Sequence, residues 1–114
     1  MNSKDITAIN KMIKYCMNSK KYATDKTYDE FAADELSFVF SVFNLSQLGE
    51  LITVMSDSIR EKYSDIPWDA IKSIRNRIVH NYDGVKIDII WNIIQNEIDP
   101  LIARLQNIIS DMEK

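Results

Sequence analysis

Residues 68–81 read WDAIKSIRNRIVHN. Trp68, Ile71, Ile74, Ile78 and Val79 recur at steps of three and four, the period of one face of an α-helix. Ahead of them stands Asp65-Ile66-Pro67. A proline suits a first helical turn, where its missing N–H would be unpaired in any case, with Asp65 or Ile66 as cap. Behind them stands Asp83-Gly84. A glycine after the last periodic residue is a common helix stop, because it enters the left-handed region without a Cβ clash. The spacing predicts one helix running to about Asn81.

The same period extends in both directions. Ile6, Ile9, Ile13 and Met17, with Met12 and Cys16 beside them, predict a helix from Lys4 to about Asn18, capped by Asn2 or Ser3. The polar run 19–26 reads as a connection. Thr27-Tyr28-Asp29-Glu30 has the spacing of a capping box. From Tyr28 to about Lys62 no proline intervenes. Phe31, Glu35 and Phe38, then Leu45, Leu48, Ile52, Met55 and Ile59, predict one very long helix or two nearly collinear ones, with Asn44 and Gly49 as kink points. A last helical stretch starts near Ile87 and carries Ile90, Trp91, Ile94 and Ile98. Asp99-Pro100 kinks or splits it before Leu101, Leu105, Ile108, Ile109 and Met112. The expectation is an all-α, up-and-down antiparallel bundle of four to five helices in a single domain, residues 1–114. The stripes are wide for so short a chain, so part of the apolar surface is expected to face a second copy in a homodimer.

Composition narrows the function. Of 114 residues 46% are hydrophobic, and there are two Gly, two Pro, one Cys and one His. Few turn formers argue against a many-stranded β fold. One Cys cannot form an internal disulfide, and one His with one Cys is too few for a self-contained zinc site. No cofactor or metal is expected. Asp29-Glu30 and Asp34-Glu35 sit at helical spacing that a divalent cation accepts, but a solvated face explains them as well. Cys16 falls in an apolar stripe and reads as core. No apolar run approaches the roughly 20 residues of a membrane span, and no secretory signal is legible at the N-terminus, so the cytoplasm is the expected location. Net charge is −3, unlike a strongly basic nucleic-acid platform. The charge is uneven: residues 1–26 carry +4 and residues 27–62 carry −5.

The chemistry-bearing residues gather at the end of the helix first quoted. His80 is the only side chain here whose ordinary pKa lies near neutrality, so it can both take and give a proton. Asn76 precedes it by four and shares its face. Arg75 and Arg77 carry forked donors that match phosphate oxygens. Tyr82 follows two residues on. Such a set suits metal-free chemistry at a phosphodiester. An Arg-x4-His spacing alone is weak, since it recurs by chance and a histidine near a helix C-terminus also favours the helix dipole.

Arg75-x4-His80-x-Tyr82 resembles the R-x4-H-x-Y motif of HepT-type HEPN domains. Leu48-Gly49-Glu50 resembles the Gly-Glu pair of that family's long second helix, Ile66-Pro67-Trp68 its lead-in to the motif helix, Trp91 the tryptophan of the next helix, and Asp99-Pro100-Leu101 its closing Pro-Leu step. The resemblance covers roughly residues 28–110, in order and spacing. Lys86 departs from it, standing where the family more often has an acidic helix cap. The resemblance implies a helical bundle that pairs as a homodimer, with both motifs near a shared cleft. It implies a metal-independent endoribonuclease acting as a toxin on RNA. It also implies a minimal nucleotidyltransferase antitoxin that silences the toxin by transferring AMP to the motif tyrosine, here Tyr82. Arg75, Asn76, His80 and Tyr82 are then the expected catalytic residues, with Arg77 an auxiliary phosphate contact or a surface residue. The alternative is a non-catalytic HEPN subunit that binds nucleotide or substrate for a nucleotidyltransferase.

Overall fold

The computed structural model describes residues 3–80 and 86–112; within them, the side chains of Arg75 and of residues 77–80 lie outside the description. Among the described residues every regular element is a helix. Five are long: α1 (Ser3–Lys20), α3 (Glu35–Ile52), α5 (Trp68–His80), α6 (Ile87–Asn96) and α7 (Ile98–Met112). Two of six residues each, α2 (Tyr28–Ala33) and α4 (Asp57–Lys62), make corners. The chain is thus the expected all-α bundle. No described helix is long and apolar enough to cross a membrane.

Helix α3 is the spine, with α1 along one side and α5 along another, while α7 lies on α1 and α6 folds back beside α7. Ile9, Met12, Cys16, Phe31, Leu45, Leu48, Ile52, Ile90, Ile98, Leu105 and Ile108 are fully buried between them. The predicted stripe Leu45, Leu48, Ile52, Met55 and Ile59 is buried throughout. Cys16 is core, as its position in the stripe implied, and burial pushes its thiol up to about 12. Polar pins set the register. Ser41 Oγ donates to the Ser19 carbonyl (2.9 Å), Lys20 bridges to Asp99 (2.6 Å), and the Tyr63 hydroxyl donates to Asp111 (3.3 Å). Among the described residues no buried side-chain polar atom lacks a hydrogen-bond partner.

The long helix expected over 28–62 is interrupted, and neither at Asn44 nor at Gly49, which α3 passes through intact. The first break is Asp34, whose extended backbone (φ −104°, ψ 92°) ends α2 and caps α3. Its carboxylate accepts from the Ser37 N–H (3.3 Å), the Ser37 hydroxyl (2.7 Å) and the Lys26 ammonium (3.1 Å). The capping box ahead of it is present, with Glu30 N–H on Thr27 Oγ1 and Thr27 N–H on Glu30 Oε1. The second break spans Thr53–Ser56. There the buried carboxylate of Asp5, 51 residues away, accepts from the Ser56 N–H (3.0 Å) and hydroxyl (2.8 Å). Ser56 in turn caps α4.

The C-terminal split lies at Glu97, two residues before the expected Asp99-Pro100, and Pro100 falls in the first turn of α7, where its missing N–H costs nothing. α1 runs two residues further than expected, to Lys20, and begins at Ser3, so the alternative cap Asn2 lies outside the described residues. The expected stop Asp83-Gly84 also lies outside them.

Two stability predictions follow from these caps. Ser37, Lys26 and Thr27 hold Asp34 down to about 2 and Glu30 below its ordinary value. Both folded-state values are lowered, so this capping is present above the ordinary carboxylate range and is lost as pH falls toward about 2. Amide signals of residues 28–40 followed by NMR through acid titration are expected to shift there before the core amides of α7 do. The second concerns Lys86, which occupies the N-cap of α6 with no side-chain capping bond. A cation there also opposes the helix dipole. Lys86→Asp is expected to add about 1 kcal/mol, read as a rise of several degrees in melting temperature.

Candidate active site

The motif residues Arg75, Asn76, Arg77 and His80 belong to the last two turns of α5. The helix makes their backbone spacing definite. Asn76 and His80 lie about one turn apart along one face, and Arg75 lies about 7.5 Å along the axis from His80. Asn76 is half-buried and engaged with a partner. The side chains of Arg75, Arg77 and His80 are not among those described, and Tyr82 lies outside the described residues.

The ground on which these residues stand is well defined. Pro67 precedes α5 and its carbonyl accepts the Ile71 N–H (3.1 Å). Trp68 is buried and its indole N–H donates to the Tyr63 carbonyl (3.1 Å). Asp65, just upstream, accepts from Arg104 of α7 through its backbone carbonyl (3.4 Å) and faces the same guanidinium with its carboxylate (3.9 Å). The start of α5 is therefore anchored to two other elements, and the motif rides on the other end of a fixed rod.

Beside the rod runs a cavity of about 230 Å³ between α3, α5 and the α6–α7 corner. Leu48, Ile71, Ile74, Ile93 and Leu101 make its apolar wall, with Asn96, Glu97 and Arg104 also in its lining. It reaches Ile74, the residue before Arg75. No pattern along the chain announces this cavity, because it exists only where α6 and α7 return past α5.

The other residues of the pattern have structural positions. Trp91 is half-buried in α6 and packs against Phe31 (ring centroids 5.2 Å apart) and Tyr28 (6.0 Å), tying α6 to α2. Gly49 is buried within α3, and Glu50 beside it is exposed yet engaged. Asp29-Glu30 and Asp34-Glu35 divide into capping roles and solvated ends. Among the described residues, no three His, Cys, Asp or Glu side chains form a group that could hold a metal ion.

A model of the family described as Ribonuclease HepT-like matches residues 12–108, from the middle of α1 to the last turn of α7, with the whole motif helix inside it. The chain belongs to the HepT-like ribonuclease family. Its HepT-like relatives include "Putative RNase MJ0127" of Methanocaldococcus jannaschii, 29% identical over 81% of this chain and 76% of that protein. "Putative RNase TTE0752" of Caldanaerobacter subterraneus subsp. tengcongensis is 31% identical over 73% of this chain and 74% of its own length. "Putative RNase MJ0125", again of M. jannaschii, is 27% identical over 100% of this chain and 99% of its own. No solved structure matches this HepT-like chain.

Proposed function

We propose that this HepT-like protein is a metal-independent endoribonuclease, the toxin of a toxin–antitoxin pair, acting in the cytoplasm as a homodimer of single-domain chains. The observation that carries the reading is the motif helix: α5 sets Arg75, Asn76 and His80 on successive turns of an anchored rod.

Cleavage of RNA needs a base to take the proton from a 2′-hydroxyl, whose oxygen then attacks the adjacent phosphorus. It also needs an acid to protonate the departing 5′-oxygen. One chain has one histidine. Two chains facing across a cleft supply two, and His80 of each copy takes one of the two roles. Arg75 stabilises charge developing on the phosphoryl oxygens, the electrostatic contribution that is usually largest. Asn76 orients His80 or the phosphate, and Tyr82 hydrogen-bonds or stacks against the RNA. The expected products are a 2′,3′-cyclic phosphate and a free 5′-hydroxyl.

In this reading a minimal nucleotidyltransferase antitoxin silences the enzyme. The Tyr82 oxygen attacks the α-phosphorus of ATP, loses its proton, and becomes joined to AMP as pyrophosphate leaves. The added phosphate then occupies the place an RNA phosphate must take, so exclusion is both steric and electrostatic.

The test is RNA cleavage by the purified chain with excess EDTA. Undiminished cleavage with cyclic-phosphate ends is expected, and abolition by the chelator alone would overturn the metal-free chemistry. Light scattering is expected to give twice the 13.3 kDa chain mass; a monomer at micromolar concentration would remove the two-histidine division of labour.

A further inference from the structure

The outer side of α3 carries a second apolar stripe that no described helix covers. Leu36, Val39, Phe40 and Phe43 follow one another at the helical period, and Leu36 is 81% exposed, Phe43 55% and Val39 40%. Tyr22 packs edge-on against Phe40, with ring centroids 5.1 Å apart. With Lys26, Asp34 and Ser37 these side chains line a shallow depression of about 620 Å³. Isolated exposed apolar residues are ordinary on a protein surface, but a contiguous concave set marks an interaction site.

The edge of this set is basic. The ammonium groups of Lys21 and Lys26 lie 5.6 and 5.8 Å from the centre of the Tyr22 ring. At the other end of α3, Lys4 and Lys11 of α1 border Leu51 and the exposed Val54 in a separate depression of about 340 Å³. The acid in the lining, Asp34, is already held by Lys26 and Ser37. Neither Glu35 nor Glu50 lines either depression. Lys4, Lys11 and Lys21 form no ion pair among the described residues.

We propose that the outer face of α3, bordered by the Tyr22–Lys26 connection, is a docking surface for an acidic amphipathic helix of a partner protein. An apolar stripe at i, i+3, i+4 and i+7, exposed along α3 and bordered by Tyr22, takes the apolar face of another helix. Lys21 at its edge, with Lys4 and Lys11 toward the far end of α3, forms no ion pair among the described residues, and these lysines then meet carboxylates on that helix's flank, which favours this partner and steers its approach. A second copy of this chain fits less well, because a two-fold contact sets a face against itself and would oppose lysine to lysine. RNA would take up the lysines but gain little from aliphatic Leu36 and Val39, which present no ring for a base to stack on. The inference does not rest on the ribonuclease reading.

The test uses the full-length chain and two labelled synthetic helical peptides with one apolar face in common, one carrying glutamates on its polar face and the other lysines. Fluorescence anisotropy is expected to show the glutamate peptide binding at least about tenfold more tightly. Leu36→Ser with Phe43→Ser should weaken it by a similar factor without lowering the melting temperature, since both side chains are exposed. Lys11→Glu with Lys21→Glu should reverse the preference. Equal binding of the two peptides, or indifference to these substitutions, would overturn the proposal. So would conversion of a dimer to a monomer by the Leu36/Phe43 variant, which would make the occupant a second copy. Loss in that variant of binding to a single-stranded oligoribonucleotide, or to phosphatidylserine-containing vesicles, would equally reassign the surface.

Discussion

Replacing His80 with alanine is expected to lower RNA cleavage by about 10²–10⁴-fold, the usual contribution of a positioned acid–base group. Arg75→Ala is expected to cost a comparable factor by removing charge stabilisation at phosphorus. The two variants differ in what survives. In the proposed mechanism His80→Ala keeps the phosphate contact of Arg75, so RNA binding should be retained while turnover falls. In the proposed mechanism Arg75 moves no proton, so the pH profile of the residual activity of Arg75→Ala should keep its shape while its height drops. The fold should tolerate both, because α5 is held by Trp68, Ile71 and its start at Pro67, near the opposite end of the helix. Single-turnover cleavage of a labelled RNA, with binding measured separately, checks this. Cleavage that persists undiminished in His80→Ala would remove the histidine from the chemistry.

The second large effect concerns Tyr82. Tyr82→Phe is expected to fold normally and to escape neutralisation by a nucleotidyltransferase antitoxin, because it lacks the oxygen proposed to receive AMP. Co-expression with the antitoxin, then peptide mass mapping, is expected to find one added AMP on Tyr82 in the parent and none in the variant. Four other tyrosines provide internal controls: Tyr15, Tyr22, Tyr28 and Tyr63. Tyr22 and Tyr28 are 45% and 39% exposed, so accessibility alone does not select Tyr82. The proposed role does: a group on the motif tyrosine is expected to exclude the phosphate assigned to Arg75 and His80. AMP found on Tyr22 or Tyr28, or equal modification of Tyr82→Phe, would take the switch away from this residue.

Local chemistry made much of this protein legible in one dimension. Steps of three and four located every long helix, because residues so spaced share a face whatever the rest of the chain does. The Thr27–Glu30 capping box was readable because both partners lie within one turn. The order Arg75, Asn76, His80 was readable because a helix converts spacing into direction. Tertiary structure decided what depends on distant partners. The chain turns at Thr53–Ser56 because Asp5, from the start of α1, holds Ser56 there, a contact that no window along the sequence contains. The break at Asp34 is nearer to local, with Ser37 three residues and Lys26 eight residues away satisfying that carboxylate, whereas Asn44 and Gly49 are held inside a packed helix. Leu36 and Leu45 are equally apolar as letters; α1 and α5 close around the side of α3 that holds Leu45 and leave Leu36 outside. Burial is a property of the neighbours an element acquires, and those arrive from the far end of the chain.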